Sequence, residues 1–358
     1  MLLLNPGPVT LSEKVRNALT QEDLCHREPE FAQLTLDLKQ RLLHIYPEIA
    51  SSYDAVLLTG SGTCAVEAML ASFIPPQGKA LVVANGVYGD RLAAMIKAHG
   101  KPLEIITSPW QEAINCAAVE RCLQQDRTIT HLVTVHHETT TGRLNNLALL
   151  GQLASQFNIP LLLDGVSSFG VEKIDFSAWN IAAVAATANK CLHGVPGLSF
   201  VLAKSTLFQT QTSAANSLYL DLYRYQKAQI TGYSPFTQAV QVYYGLQAAL
   251  QELEAAGGWL ARQKSYTKLA QKIRQGLQQQ GVKLLLPESD YSCALTSFML
   301  PPYLSYFQLH KSLKKAGFII YAGQGNFQDK IFRIANMGNI QIEDIAKLLD
   351  CCSSLFKN

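Results

Sequence analysis

The sequence contains little charge and no pattern typical of a metal centre, a disulfide framework or a nucleic-acid-binding surface. Only 16% of its 358 residues are charged, and the formal net charge is +3, too small to indicate a nucleic-acid or membrane partner. The eight cysteines include no C-x-x-C pair, so we expect reduced thiols in a cytoplasmic protein. We expect no signal peptide, and no apolar run approaches the roughly 20 residues of a membrane-spanning helix.

Two common catalytic motifs are also missing. The sequence has no G-x-S-x-G turn, which argues against a serine hydrolase of the α/β type. It has no H-E-x-x-H motif, and the adjacent residues His136 and His137 would point to opposite faces of a strand. We therefore expect no bound metal.

The chain is instead rich in apolar residues, which make up 48% of it and suffice for a sizeable core. Between residue 54 and about residue 204, short apolar runs alternate with helical patterns, as at 64–73 and 147–157. Continuous apolar runs are typical of strands covered by helices on both faces. We predict an α/β fold with a mostly parallel seven-stranded sheet, whose strands are residues 55–59, 80–84, 103–107, 131–136, 160–164, 182–187 and 198–203.

The pattern changes in the last third of the chain. Residues 235–280 indicate long helices interrupted at Gly257 and Gly258. Beyond them we predict strands at residues 282–286, 293–299, 317–321 and 331–334, with helices near 305–316 and 341–355. This mixture is typical of a smaller α+β domain. We therefore place a large domain at residues 1–250 and a small C-terminal domain at residues 251–358.

Two charged side chains follow apolar runs at the predicted carboxyl edge of the large sheet, where ligands of open α/β sheets bind. Asp164 ends the segment 159–164, and Lys190 follows the small residues of 181–188. An amine that condenses with an aldehyde, beside a carboxylate that keeps a pyridine nitrogen protonated, is what pyridoxal phosphate (PLP) requires. The alternatives are a solvated loop lysine and an aspartate that caps a helix.

A glycine-containing segment, residues 60–65 (GSGTCA), follows the first of these strands and opens a helix. Its free backbone N–H groups and its two hydroxyls would attract a phosphate. The segment also fits the G-x-G-x-x-A fingerprint of nicotinamide-dependent oxidoreductases, but the acidic residue expected about 20 positions later is missing. We favour a phosphate site over a dinucleotide site or a purely structural turn.

Three further segments indicate ligand contacts. Tyr88 lies between two glycines in residues 85–89 (NGVYG), where its ring can stack on a flat ligand. Residues 137–142 (HETTTG) offer hydroxyl donors. Arg333 lies within an apolar strand pattern, where its guanidinium requires an anion such as a carboxylate or phosphonate. The alternatives are a half-buried turn tyrosine and a structural salt bridge at Arg333.

These segments together resemble the class V aminotransferases of PLP fold type I, and among them the transaminases of 2-aminoethylphosphonate and pyruvate. The resemblance runs over nearly the whole chain and is carried by residues 3–8 (LLNPGP), 60–63, 85–89, 137–142, 164–170 (DGVSSFG), 188–197 (ANKCLHGVPG), 217–223 (SLYLDLY) and 332–338 (FRIANMG). It implies PLP as cofactor, an amine and a 2-oxo acid as substrates, and a homodimer.

The resemblance also implies roles for individual residues. Lys190 would hold the cofactor covalently, and Asp164 would pair with its ring nitrogen. Arg333 would bind the carboxylate of the amino or keto acid. The other cofactor contacts it implies are Ser61, Gly62 and Thr63 at the phosphate, Tyr88 on the ring, Thr139 at the ring oxygen, Asn189 beside the lysine, and the partner subunit's Thr237.

One segment departs from the phosphonate branch. Residues 23–31 (DLCHREPEF), expected near the substrate, are more similar to the broader alanine–glyoxylate group. His26 and Arg27 would supply positive charge to a phosphonate, or Arg27 would pair with Glu28 or Glu30. The sequence favours a ping-pong exchange of 2-aminoethylphosphonate and pyruvate for phosphonoacetaldehyde and L-alanine. An alanine–glyoxylate or serine–glyoxylate (or pyruvate) aminotransferase is the alternative.

Overall fold

The computed structural model describes residues 1–356 and contains fourteen strands and twelve α-helices there. The strands are β1 (Leu2–Leu3), β2 (Tyr53–Gly60), β3 (Lys79–Ala84), β4 (Leu103–Thr107), β5 (Ile129–Val135), β6 (His137–Glu138), β7 (Arg143–Leu144), β8 (Leu161–Asp164), β9 (Ile181–Thr187), β10 (Gly197–Lys204), β11 (Leu295–Met299), β12 (Phe318–Ile319), β13 (Tyr321–Ala322) and β14 (Ile331–Ala335). The helices are α1 (Glu13–Ala18), α2 (Pro29–His44), α3 (Gly62–Phe73), α4 (Val87–Ala98), α5 (Cys116–Gln125), α6 (Leu147–Gln156), α7 (Ser205–Thr210), α8 (Leu222–Gln229), α9 (Val240–Ala255), α10 (Gly258–Gln279), α11 (Tyr306–Lys315) and α12 (Ile342–Ser353).

The large sheet has seven strands in the order β2-β10-β9-β8-β5-β3-β4. Strand β10 is antiparallel to both of its neighbours, and all other adjacent pairs are parallel. The carboxyl ends of the other six strands therefore meet at one edge. The mostly parallel seven-stranded sheet is confirmed, and each predicted strand lies within two residues of an observed one.

Helices cover both faces of this sheet, and this explains the continuous apolar runs. On one face Leu57 packs in a core with α2, α6 and α9. On the other face its neighbour Val56 packs in a second core with α3, α4 and α8. Because successive strand residues point to opposite faces, both must be apolar when both faces are buried.

The C-terminal residues build a smaller antiparallel sheet, in the order β11-β14-β13. Helices α10, α11 and α12 share a core with it. The N-terminus joins this unit, because β1 pairs with β12 and Leu4 lies in the same core. The domain division at residues 250–251 stays a prediction; it falls within α9, whose Leu253 packs against the large sheet.

Two strand predictions in this C-terminal unit were wrong in detail. Residues 282–286 form no regular strand, because Leu284 makes only an isolated bridge to Phe298. Residues 317–321 form two strands, since the chain changes partners at the buried Ile320: β12 pairs with β1, and β13 pairs with β14. Over residues 1–356, no helix combines the length and apolar character needed to cross a membrane.

Candidate active site

The carboxyl edge of the large sheet gathers most of the predicted site residues. Strand β8 ends at Asp164, and Lys190 follows β9. A small cleft lies beside Asp164. Its lining includes Thr63, Tyr88, Arg91, Asp164 and Val166. The predicted phosphate turn, aromatic ring and carboxylate therefore converge on one cleft.

Asp164 is a buried carboxylate with little internal compensation. It is 7% exposed, and its Oδ1 accepts one hydrogen bond, from the Val166 N–H at 2.9 Å. Burial raises the pKa of Asp164 to about 6, although Val166, Arg91 and Lys190 each favour the charged form. Its second oxygen has no hydrogen-bond donor within residues 1–356, so it is available to a cationic group.

Lys190 lies half-buried behind the N-terminal segment. Gly7 lies against this side chain, since an added Cβ would be 2.9 Å from the Lys190 Nζ, and its φ of +100° favours glycine. Burial lowers the pKa of Lys190 to about 8; the Asp164 carboxylate opposes this shift, and Arg333 and Arg91 add to it. A fraction of the amine is therefore uncharged near neutral pH, as a nucleophile or base must be.

The N-terminus of α3 is open. Ser61 precedes the helix in an extended conformation, and its hydroxyl makes no capping hydrogen bond. In the described chain, the backbone N–H groups of Gly62 and Thr63 have no acceptor. Ser61 and Thr63 are exposed, whereas Gly62 packs so closely on Val166 that a Cβ would lie 2.9 Å from a methyl group. Free N–H groups at a helix start suit a phosphate.

The N-terminus of α4 is closed by a buried carboxylate. Glu138 is fully buried; its Oε2 accepts from the Gly89 N–H, and its Oε1 accepts from the Thr140 hydroxyl. The Thr140 hydroxyl oxygen in turn accepts from the Val87 N–H at 3.1 Å. A Cβ on Gly86 would lie 2.3 Å from the Glu138 carboxyl carbon. Burial raises the pKa of Glu138 to about 7, against the effect of these hydrogen bonds.

Tyr88 lies in the first turn of α4, so the alternative of a turn tyrosine at residues 85–89 is replaced by a helix start. Its two neighbouring glycines serve packing: Gly86 makes room for Glu138, and Gly89 makes room for Ala84. The Arg91 guanidinium lies over the Tyr88 ring, 4.7 Å from its centre. The ring lines the cleft on the side of α4.

Arg333 is 2% exposed and has no carboxylate partner among residues 1–356. Its Nη1 donates to the Thr139 carbonyl at 2.8 Å and to Gln324 Oε1 at 3.2 Å, and its Nε donates to the Ala322 carbonyl at 2.8 Å. The structural salt bridge is therefore not observed. A buried guanidinium without an anion suits an anionic ligand. The Thr139 hydroxyl also makes no hydrogen bond to the described residues.

Four predicted site residues are not joined to this group by hydrogen bonds in the described chain. Asn189 accepts at Oδ1 from the Thr187 hydroxyl at 2.8 Å. Thr237 is exposed on the segment before α9. His26 is half-buried, and Arg27 is exposed without an ion pair to Glu28 or Glu30. Their functional roles stay predictions.

The two adjacent histidines have structural partners. His136 Nδ1 lies 3.0 Å from the Ser168 hydroxyl, and His137 Nδ1 lies 3.0 Å from the Ser167 carbonyl. Burial lowers the pKa of His136 to about 3 and that of His137 to about 4, so both rings are neutral. Nowhere in residues 1–356 do His, Cys, Asp and Glu side chains cluster as a metal would require.

Comparison with protein families matches this chain to aminotransferase class V over residues 26–343. The chain belongs to the class V aminotransferase family. This membership agrees with the predicted resemblance and argues against the nicotinamide-dependent alternative for residues 60–65. The aminotransferase is also similar to curated relatives named 2-aminoethylphosphonate–pyruvate transaminase. The relative from Bacillus cytotoxicus is 37% identical over 98% of this chain and 97% of its own, and that from Bacillus mycoides is 37% identical over 98% and 96%.

Solved structures resemble the aminotransferase over its whole length. Aspartate aminotransferase of subgroup IV from Thermus thermophilus matches with a TM-score of 0.91 and 25% identity, covering 99% of both chains. Pyridoxamine–pyruvate aminotransferase from Mesorhizobium loti matches with a TM-score of 0.91 and 25% identity, covering 99% of this chain and 91% of the other. These similarities confirm the predicted fold type I architecture.

Three residues of the aminotransferase site escaped sequence reasoning. Arg91 is three positions after Tyr88, a spacing that places both on one helix face, and this signal was available. Glu138 stood in a polar segment without an assigned role. Gln324 lies in the loop between β13 and β14, nine positions before Arg333, and only the folded chain brings its amide to the guanidinium.

Proposed function

We propose that this aminotransferase uses PLP to move the amino group of 2-aminoethylphosphonate to pyruvate, forming phosphonoacetaldehyde and L-alanine. One observation carries the proposal: a buried carboxylate with one free oxygen, a lysine with a lowered pKa and an open helix N-terminus lie at the same edge of the sheet. The choice of substrates is supported by the Bacillus relatives, which bear that name and share 37% of their residues with this chain.

The residues present fit the cofactor. The free N–H groups of Gly62 and Thr63 would hold its phosphate, and the second oxygen of Asp164 would hold a protonated ring nitrogen. The Tyr88 ring would stack on its face, and the Thr139 hydroxyl would donate to its ring oxygen. When bound, PLP supplies an electron sink for the pair released when a substrate C–H bond breaks.

Lys190 would move the proton in this chemistry. Its pKa near 8 leaves part of the amine uncharged, so Nζ can take the proton from the substrate carbon and return it on the other side of the C–N bond. Water then releases phosphonoacetaldehyde, and the amino group stays on the enzyme. Pyruvate takes up that group in a second half-reaction that reverses these steps and gives L-alanine. The cycle is therefore ping-pong.

Titration of the PLP-loaded protein, followed by its visible absorbance, tests the proposal. We expect 2-aminoethylphosphonate alone to remove the absorbance band of the bound cofactor, and pyruvate to restore it. Replacing Lys190→Ala should lower turnover by roughly 10³-fold or more, since the proton carrier and the covalent attachment are lost together. Lys173→Ala, at an exposed lysine paired only with Asp175, is the matched control and should keep full turnover.

The main competitor is an aminotransferase of the same family for alanine or serine with glyoxylate. Fast turnover of either pair, together with an unchanged spectrum on addition of 2-aminoethylphosphonate, would establish it instead. The variant Arg27→Ala tests whether residues 23–31 contact the phosphonate group. If they do, the KM for 2-aminoethylphosphonate rises while the KM for pyruvate is unchanged.

We also propose a homodimer with shared sites. Four large apolar side chains, Leu218, Tyr219, Ile230 and Tyr233, are exposed on the same stretch of chain as Thr237. Such a patch favours an interface. Mixing experiments test the sharing: Lys190→Ala and Thr237→Glu subunits should each be poorly active, but a mixed dimer has one intact site. Recovery of activity on mixing supports sharing, and no recovery from proven mixed dimers contradicts it.

A further inference from the structure

Arg333 has only one nitrogen left for a ligand. Its Nε is bonded to the Ala322 carbonyl, and its Nη1 is bonded to the Thr139 carbonyl and to Gln324 Oε1. Its Nη2 donates to none of the described residues and is not enclosed. A carboxylate usually binds arginine through two parallel N–H···O bonds from two nitrogens. Arg333 can offer a carboxylate only Nη2, so the second carboxylate oxygen needs a donor from another residue.

Gln324 brings a second donor to the same guanidinium group. Its Oε1 must face Arg333, because a guanidinium has only donors and an amide oxygen only accepts. The Nε2 of the same amide shares a carbon with Oε1, and it donates to no atom of the described chain. Gln324 is half-buried, and its Nε2 is accessible to a ligand.

The loop that carries Gln324 is held by Trp110, in the segment after β4, and by β14. A Cβ on Gly325 would lie 2.7 Å from the Trp110 ring, and the Trp110 and Phe327 rings lie 5.8 Å apart. The Gly323 N–H donates to the Ile331 carbonyl at 3.0 Å. The amide is therefore positioned before any ligand arrives, which limits the conformational entropy lost on binding.

We propose that Gln324 is a specificity-determining residue that donates from Nε2 to the same substrate carboxylate that accepts from Arg333 Nη2. The inference rests on the proposed function, since it assigns the pair to the carboxylate of pyruvate and of L-alanine. One carboxylate oxygen accepts from each residue. The site thus recognises a small 2-oxo acid through one charged and one neutral side chain.

Two replacements with side chains of similar length test whether Gln324 donates a hydrogen bond to the substrate or only orients Arg333. Neither Met nor Lys can accept from Nη1, but only Lys donates. We expect Gln324→Met to raise the KM for pyruvate about tenfold, with kcat within about threefold, because a hydrogen bond to a charged group is lost. Gln324→Lys should restore the KM to within about threefold of the unmodified protein, since a donor is present again.

The matched controls are Gln328→Met and Gln328→Lys, at an exposed glutamine of the same loop, and both should leave KM unchanged. Equal losses in Gln324→Met and Gln324→Lys would show that Gln324 only orients Arg333. An unchanged KM in both would show that it does not act on the substrate. Either result overturns the proposal.

Binding of propionate, which carries the carboxylate but no reacting group, gives a readout without turnover. Calorimetry on the PLP-loaded protein should show about tenfold weaker binding in Gln324→Met and near-normal binding in Gln324→Lys. Failure of the proposed function is recognised separately: the unmodified protein would not turn over 2-aminoethylphosphonate with pyruvate, whereas the propionate series still decides the role of Gln324.

Discussion

Helices α3 and α4 begin at the same edge of the same sheet, each directly after a strand and a glycine, yet their N-termini differ. At α3 the N–H groups of Gly62 and Thr63 have no acceptor in the described chain. At α4 the N–H groups of Val87 and Gly89 are bonded to Thr140 and Glu138. A helix start is a phosphate site only if the protein leaves it free.

The same contrast holds for the two buried carboxylates of the site. Glu138 accepts from Gly89 and from both the N–H and the hydroxyl of Thr140, so both of its oxygens have donors, although burial still raises its pKa to about 7. Within residues 1–356, the Asp164 carboxylate accepts from Val166 alone. The open helix start and the open carboxylate border one cleft, whereas Glu138 and α4 satisfy each other. Ligand binding is thus expected where the protein leaves polar groups unpaired, and structural support where it pairs them.

The largest expected effect concerns the open carboxylate. In the folded, cofactor-free protein, the pKa of Asp164 is raised from 3.8 to about 6. Burial of this carboxyl group therefore costs no folding free energy below pH 3.8, where it is protonated, and costs most above pH 6, where it is charged. Asp164→Asn keeps the acceptor for Val166 and removes the charge. We expect it to stabilise the cofactor-free protein by up to about 3 kcal/mol above pH 6, with no gain near pH 4. Urea unfolding across this pH range measures the difference.

Asp175→Asn is the control, because the pKa of Asp175 is lowered: hydrogen bonds from Ala178 and Ser177 outweigh the effect of its burial. Its carboxylate contributes stability above its unfolded pKa, so this replacement should destabilise at neutral pH. A stability gain for Asp164→Asn that does not change with pH would show that charge is not the cause.

The second prediction concerns a variant that blocks the free N-terminus of α3. Ser61→Asp places a carboxylate at the free N–H groups of α3. Because like charges brought together cost several kcal/mol, we expect it to weaken PLP binding about a hundredfold. The same change should stabilise the cofactor-free protein by up to about 1 kcal/mol, as an acidic N-cap does. Fluorescence titration and thermal unfolding check the two opposite effects.

Ser12→Asp is the control for this change, because Ser12 caps α1 by accepting from the Val15 N–H and aspartate can do the same. PLP affinity should stay at its original value in that variant. Normal PLP affinity in Ser61→Asp would mean that the phosphate is bound elsewhere.

The smallest expected effect is a difference in the free energy of unfolding between variants of two threonines, one near each helix start. Thr140→Val removes the acceptor of the Val87 N–H and the donor to Glu138, so we expect a loss of about 2 kcal/mol in the free energy of unfolding. Thr63→Val removes an exposed hydroxyl with no partner, so the cofactor-free stability should change by less than about 0.5 kcal/mol. Similar losses of unfolding free energy in both variants would contradict the distinction between the paired N-terminus of α4 and the free N-terminus of α3.

Most strands of the large sheet were predictable because burial on both faces leaves largely apolar runs, whereas the edge strand β4 is mostly exposed. The turn at residues 60–65, Asp164 and Lys190 were predictable for a related reason: each is a polar exception at the end of such a run. The apolar run at 282–286 also predicted a strand, but only Leu284 pairs there, in an isolated bridge to Phe298, because strand pairing depends on a partner that the run itself does not show.

The roles of Glu138 and Gln324 also depended on distant partners. Glu138 supports α4, about 50 residues earlier in the chain, and Gln324 meets Arg333 across a turn whose position is set by Trp110. Neither interaction leaves a periodic signal in the sequence, since it involves one side chain and a few backbone groups.

By itself, the sequence determined the layered architecture, the order of the strands along the chain and the polar residues at their carboxyl ends. These depend on local apolar periodicity and on glycine, which act over a few residues. Only the tertiary structure decided which helix start is open, which carboxylate is compensated and which arginine nitrogen is free. Each of these depends on whether a hydrogen-bond partner arrives from a distant segment, and that is a property of the packed chain.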